Sequence, residues 1–230
     1  MNFIFEYNQV LKQLSEQSKL SNLLQLDNKL SDDGYWDRFA RLSVIDKYIE
    51  GYGYHLLYEI QSLSNQIHFG VLNCLLFRPL VSLDKTDPNI YNHRLTFMME
   101  STIHCIYGYW NRIALLLNLY LEKPLDKKEV YMMKLLDLIR KQFPELKELE
   151  EFKWFVDLME DFLSFNRNEM VHNYSIIMQE FLPVQGREKI DYDIIIKKLI
   201  YHNNAISNDV FRLLDLLEYI ESNFIKRNKK

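Results

Sequence analysis

Residues 151–175 read EFKWFVDLMEDFLSFNRNEMVHNYS. At about 100° per residue, a helical wheel gathers Phe152, Trp154, Phe155, Val156, Leu158, Met159, Phe162, Leu163 and Phe165 into one broad arc. Lys153, Asp157, Glu160, Asp161 and Ser164 fill the remaining sector. An apolar arc opposed by charge is the pattern of an amphipathic helix packed on a core, and it predicts an all-α protein. The same stretch ends unusually. Arg167 and His172 fall at opposite edges of the polar sector, about 140° apart on the wheel, with Asn168 and Val171 between them. The two can close from both sides on something docked against that strip.

The remaining sequence agrees with a helical fold. The chain has 230 residues, 48% hydrophobic and 26% charged, with only 6 Gly and 5 Pro to make turns. That length buries roughly 70–75% of the unfolded surface, enough for one large domain. Periodicity predicts helices over residues 3–19, 35–66, 90–122, 127–142 with Asp126 as N-cap, 145–174 behind Pro144, and 191–226. The piece HFGVLNCLLFRPLVSLDKTDPN, residues 68–89, carries β-branched residues, Gly70, Pro79 and Pro88, and reads as a loop with a short hairpin. LPVQGREKIDYD, residues 182–193, reads as a turn segment. The expected organisation is a single all-α domain, with N-terminal helices and a loop over 1–89 and a helical core over 90–226.

A net charge of −4 argues against a general nucleic-acid coat protein, so RNA binding would need a local patch. Cys74 and Cys105 make neither a metal spacing nor a disulfide framework and are expected as buried free thiols. MNFIFEYNQVLKQ lacks the pattern of a signal peptide, and no uncharged run reaches membrane-span length, so the expected compartment is the cytoplasm. No cofactor and no metal is expected. GYWDRFA at 34–40 and GYWNRIA at 108–114 echo each other without flanking similarity, a shared packing solution rather than a repeat. Trp110, Asn111 and Arg112 in the second copy are expected to be structural. His55, His68, His93 and His202 are scattered and read as structural or surface residues.

Arg167 offers a planar fork of donors suited to phosphate oxygens. His172 can exchange a proton near neutral pH, and Asn168 can orient either group. In RNA the 2′-OH can itself attack the adjacent phosphorus, leaving a 2′,3′-cyclic phosphate without a metal. An Arg followed by a His at five to seven residues is expected about once by chance in this composition. Spacing five with Asn after Arg lowers that to roughly one in fifty.

RNEMVHNY, residues 167–174, resembles the signature of the HEPN superfamily (higher eukaryotes and prokaryotes nucleotide-binding): Arg, a polar residue, three more, then His. The resemblance covers about residues 90–226. It implies an all-α bundle and a metal-independent endoribonuclease of a bacterial toxin–antitoxin or phage-defence system. Arg167 and His172 would be catalytic, with Asn168 as the polar follower, and two copies would pair their motifs at one cleft. Pairing would use the C-terminal halves of both 145–174 helices. Tyr174 fits the Arg-x-x-x-x-His-x-Tyr variant, in which a nucleotidyltransferase antitoxin modifies the Tyr with adenylate. Read from spacing alone, Tyr174 could equally pack its ring against Val156 and Leu163. The alternative to the nuclease is a catalytically inactive helical dimerisation or partner-binding module. A carboxylate-bridged di-iron site from Glu169 and His172 lacks the second Glu-x-x-His pair and the further Glu residues it needs.

Overall fold

The computed structural model describes residues 2–20, 34–47, 53–82, 88–164 and 191–228. They are all-α, with no strand among the described residues. The helices are α1 (Asn2–Gln17), α2 (Tyr35–Ala40), α3 (Gly53–Phe77), α4 (Ile90–Asn118), α5 (Met132–Gln142), α6 (Glu150–Ser164), α7 (Tyr192–Ser207) and α8 (Val210–Asn228). Four 3-10 turns punctuate them, including Arg78–Leu80 after α3 and Pro144–Glu148 before α6. No helix among the described residues is long and apolar enough to cross a membrane.

Two expectations about helix extent are corrected. The helix expected over 35–66 stops after Ala40, and α3 begins only at Gly53. Phe39, Leu42, Val44 and Ile45 are all buried, yet on a straight helix they would spread over about 220°. A turn buries them together. The Ser43 amide donates to the Glu221 carboxylate at 3.0 Å, which fixes that turn from α8. Arg38 anchors α2 beside it, donating to Glu218 and Asp215 at 2.6 Å each. The second correction concerns residues 68–77, which are helix rather than loop or hairpin. A short apolar run does not distinguish a buried helix from a buried strand. Here Ile67, Val71, Leu72 and Cys74 are buried around the helix. Gly70 lies where α4 comes close: a Cβ added there would stand 2.0 Å from the Thr102 hydroxyl oxygen. Pro79, in the following 3-10 turn, marks the end of α3.

Smaller differences lie at the ends. Asn89 caps α4, its side-chain oxygen accepting from the Tyr91 and Asn92 amides at 2.8 and 3.3 Å. Asn118 ends α4 four residues early by bonding both the amide and the carbonyl of Leu125, each at 2.9 Å. Asp126 does act as a cap, but of the 3-10 turn Lys127–Glu129, and α5 starts at Met132. The single helix expected over 191–226 is two. Asp191 caps α7 as expected, accepting from the Asp193 and Ile194 amides. The break at Asn208–Asp209 follows a Ser-Asn-Asp sequence, residues whose short polar side chains compete for helix hydrogen bonds.

The chain divides into two compact units, each assembled from three segments. The first comprises 1–23, 64–106 and 165–208, the second 24–63, 107–164 and 209–230. In the first, α3 and α7 run antiparallel. Arg78 forks onto Asp193 at 2.7 and 2.8 Å near the start of α7, and ten residues further along, in opposite directions, His68 meets Asn203. Tyr7 of α1 donates to Asn73 of α3 at 2.5 Å. In the second unit α6 packs on α5 and α8, and Trp110 of α4 lies against Phe155 of α6 with ring centroids 5.6 Å apart.

Candidate functional site

The helix leading to the motif begins at Glu150, after the 3-10 turn Pro144–Glu148, rather than at 145; from there to Ser164 it buries the face its sequence predicts. Glu150 and Glu151 place negative charge in the first turn of α6, where the helix dipole favours it, and Lys153 pairs with Glu150 at 2.9 Å. Phe152, Phe155, Val156, Leu158, Met159 and Phe162 are buried, while Lys153, Asp157, Glu160 and Ser164 face solvent. Arg167, Asn168, His172 and Tyr174 follow the last described residue of α6 and lie outside the described residues, as do Glu169 and Val171. The 182–190 part of the expected turn segment lies outside them too.

The other residues singled out by sequence are placed. Cys74 and Cys105 are both free. Cys74 is buried, and burial pushes its thiol up to about 12. Cys105 is only half-buried, and its thiol points to the Gln66 side-chain oxygen at 3.4 Å. Burial raises its pKa as well, so neither is an activated nucleophile. Trp110 is buried between Tyr109 and Phe155, with no hydrogen-bond partner for its indole N–H. Arg112 pairs with Glu59. The echoed heptapeptides therefore use their Arg alike: Arg38 and Arg112 each hold a carboxylate on another helix. No three His, Cys, Asp or Glu side chains among the described residues are grouped to hold a metal.

Sequence reasoning missed one constellation. His68 and His202 fall on the structural side of the expectation, but they are grouped rather than scattered: both are buried, on facing helices of the first unit. The Asn203 side chain lies beside the His68 ring. The antiparallel register that pairs Arg78 with Asp193 and His68 with Asn203 sets Ser64 level with Ser207, both of them buried. Burial lowers the pKa of His68, and the neighbouring Asn203 side chain opposes this less strongly. The ring is thus held neutral, and its Nδ1 is buried without a partner. The signal was present as polar pairs four residues apart, Ser64 with His68 and Asn203 with Ser207, each pair on one face of its helix. This layer of buried polar side chains fixes how α3 and α7 register. His55, His93 and His104 are exposed.

Comparison with protein families, with curated proteins and with solved structures finds no match to this chain.

Proposed function

We propose that the protein is a metal-independent endoribonuclease of a bacterial toxin–antitoxin or phage-defence system, with Arg167 and His172 as its catalytic pair. The reading is carried by the sequence RNEMVHNY, which begins three residues beyond an amphipathic helix whose described part buries the expected face. The all-α architecture supports it, because the resemblance implies such a fold. A second copy supplies a second His. One imidazole takes the proton of the 2′-OH as that oxygen bonds to phosphorus. The phosphorus–O5′ bond breaks, and the protonated imidazole of the other copy returns a proton to the leaving 5′ oxygen. Arg167 neutralises charge gathering on the phosphoryl oxygens, and Asn168 orients one of the two groups. Tyr174 is the control point: an adenylate on its hydroxyl would bring a phosphate beside Arg167 and compete for the guanidinium.

Total RNA incubated with the purified chain in excess EDTA should be cut to fragments with 2′,3′-cyclic phosphate ends, while DNA stays intact. His172→Ala should lower the rate by about 10²–10⁴. Arg167→Ala should be similarly damaging, and Tyr174→Phe should cut like wild type while escaping silencing by a co-expressed nucleotidyltransferase. Equal cleavage by wild type and His172→Ala sinks the proposal.

A further inference from the structure

Within the first unit, α7 turns one face to solvent along its length. At about 100° per residue, Ile194, Lys197, Tyr201 and Asn208 fall within about 30° of one line, with Lys198 and Asn204 on its flanks. Ile194 and Tyr201 are 55% and 45% exposed, and Lys197 and Asn208 face solvent as well. Ile195, Ile196, Leu199 and Ile206 carry the apolar side of the same helix into the core. The outer face stands out by its charge. A chain with 32 Asp and Glu places none of them between Ile194 and Asn208. The two acids at the start of the helix are already engaged. Asp191 accepts from the Asp193 and Ile194 amides, and Asp193 is held in the fork of Arg78. Beyond them Lys197 and Tyr201 stand one turn apart, about 6 Å along the axis.

We propose that this face of α7 binds single-stranded RNA, with Lys197 on a phosphate and the Tyr201 ring under a base. The choice of RNA as the polyanion rests on the ribonuclease reading. A net charge of −4 gives no general attraction for nucleic acid, so binding needs a local cationic stretch free of acids. An exposed aromatic ring adds what a point charge lacks, a platform on which any base can stack. Stacking requires an unpaired base, which selects a single strand over a duplex. Asn204 and Asn208 offer amide donors and acceptors to base edges. An anionic membrane would need the apolar side of the helix turned outward, and α7 has that side in the core. An acidic peptide would meet the charge and leave the ring unused. Neither the phosphate contact nor the stacking touches a 2′-hydroxyl. Single-stranded DNA should therefore bind this face about as well as RNA while staying uncut.

Fluorescence anisotropy of a short labelled RNA strand in EDTA tests this, with the full chain carrying His172→Ala so that no cleavage intervenes. Anisotropy should rise with added protein and fall as salt is raised. Lys197→Glu should weaken binding about tenfold or more, and Lys197→Ala should lessen the salt slope by about 0.7, the share of one phosphate on a single strand. Tyr201→Ala should weaken binding about tenfold through loss of one stacked base, whereas Tyr201→Phe keeps the ring and should bind like its parent. Lys141→Glu on α5 makes the same change in net charge at an exposed position and should leave binding unchanged. Lys197 is exposed too, so its variants should keep their helix content by circular dichroism. Absence of binding overturns the proposal, as does binding indifferent to Lys197→Glu or weakened equally by Lys141→Glu. Displacement of the RNA by an acidic peptide or by anionic vesicles as readily as by single-stranded DNA overturns it as well. The ribonuclease reading fails by a different result, RNA held through Lys197 and Tyr201 yet left uncut by the chain with His172 intact. Cleavage that depends on His172 but not on Lys197 or Tyr201 sinks the present proposal alone.

Discussion

The second unit packs Phe39, Tyr109, Trp110, Tyr120, Phe143, Phe152, Phe155 and Phe162, each 2% exposed or less, whereas among the described residues the first unit buries no Phe, Tyr or Trp so completely. The first unit instead holds nine of the ten buried polar side chains among the described residues, from Ser64 and His68 on α3 to Asn203 and Ser207 on α7; Asn118 is the exception. The two cores are specified differently. Large rings supply area and dispersion and tolerate small shifts, because their carbon atoms demand no particular partner. A buried polar pair contributes little net stability when satisfied and costs much when mismatched, so it selects one register out of several. The aromatic unit is held by volume, the other by matching.

That contrast is open to breaking, and the largest effect should come from the aromatic side. Phe155 is fully buried with its ring against Trp110 and Trp154. Phe155→Ala should cost about 3–5 kcal/mol in urea denaturation, the transfer loss plus the cavity left behind. A loss under about 1 kcal/mol would mean the rings are not what holds this unit.

Gly70 and Gly108, two glycines inside helices, sharpen the comparison at intermediate size. Gly70→Ala drives a methyl to 2.0 Å from the Thr102 hydroxyl in the first unit, so thermal melts should show a loss of about 1–3 kcal/mol. Adding Thr102→Ala should recover part of it. At Gly108 in the second unit the nearest atom is a flexible Leu63 methyl at 3.4 Å. Gly108→Ala should therefore be neutral or gain about 0.5–1 kcal/mol from helix propensity. The same sign at both positions would remove the distinction between a matched and a yielding core.

The smallest effect is titration of the polar layer. His68 has its pKa lowered by burial from the ordinary 6.5, so the unfolded chain binds its proton first as pH falls. Its contribution to stability is complete above about pH 6.5 and is lost as pH falls from there through the folded value. Urea midpoints from pH 7.5 to 5 should decline, and His68→Gln should flatten part of that slope. An unchanged slope would show that the ring is not held neutral by its surroundings.

Much of the fold was legible in the sequence. The span of α1, the end of α5, the start of α4, the buried face of α6 and the Asp191 cap follow from apolar spacing and capping chemistry. The break between α7 and α8 was written in Ser207-Asn208-Asp209, but the apolar period continues on both sides and outweighs three polar residues in a long window. Residues 68–77 were misread because β-branched residues and a glycine suggest strand and turn, and only the approach of Thr102 explains that glycine as a packing residue. Of the candidate site, the sequence supplies the residue types and spacing of Arg167, Asn168, His172 and Tyr174. It passed over the His68–Asn203 layer because the pair is separated by most of the chain.

Scarce glycine and proline, with apolar residues recurring at 3.6, determined by themselves that this chain is helical and which face of α6 is buried. Both are local properties, set by backbone propensity and by the removal of one face from water. The tertiary structure alone decided where the chain leaves α2, why Gly70 is tolerated inside α3, and which buried polar groups pair. The Ser43 amide finds its acceptor at Glu221, the Gly70 backbone meets Thr102, and His68 lies beside Asn203. Each of these depends on atoms far along the chain, whose distance from one another exists only once the helices have packed.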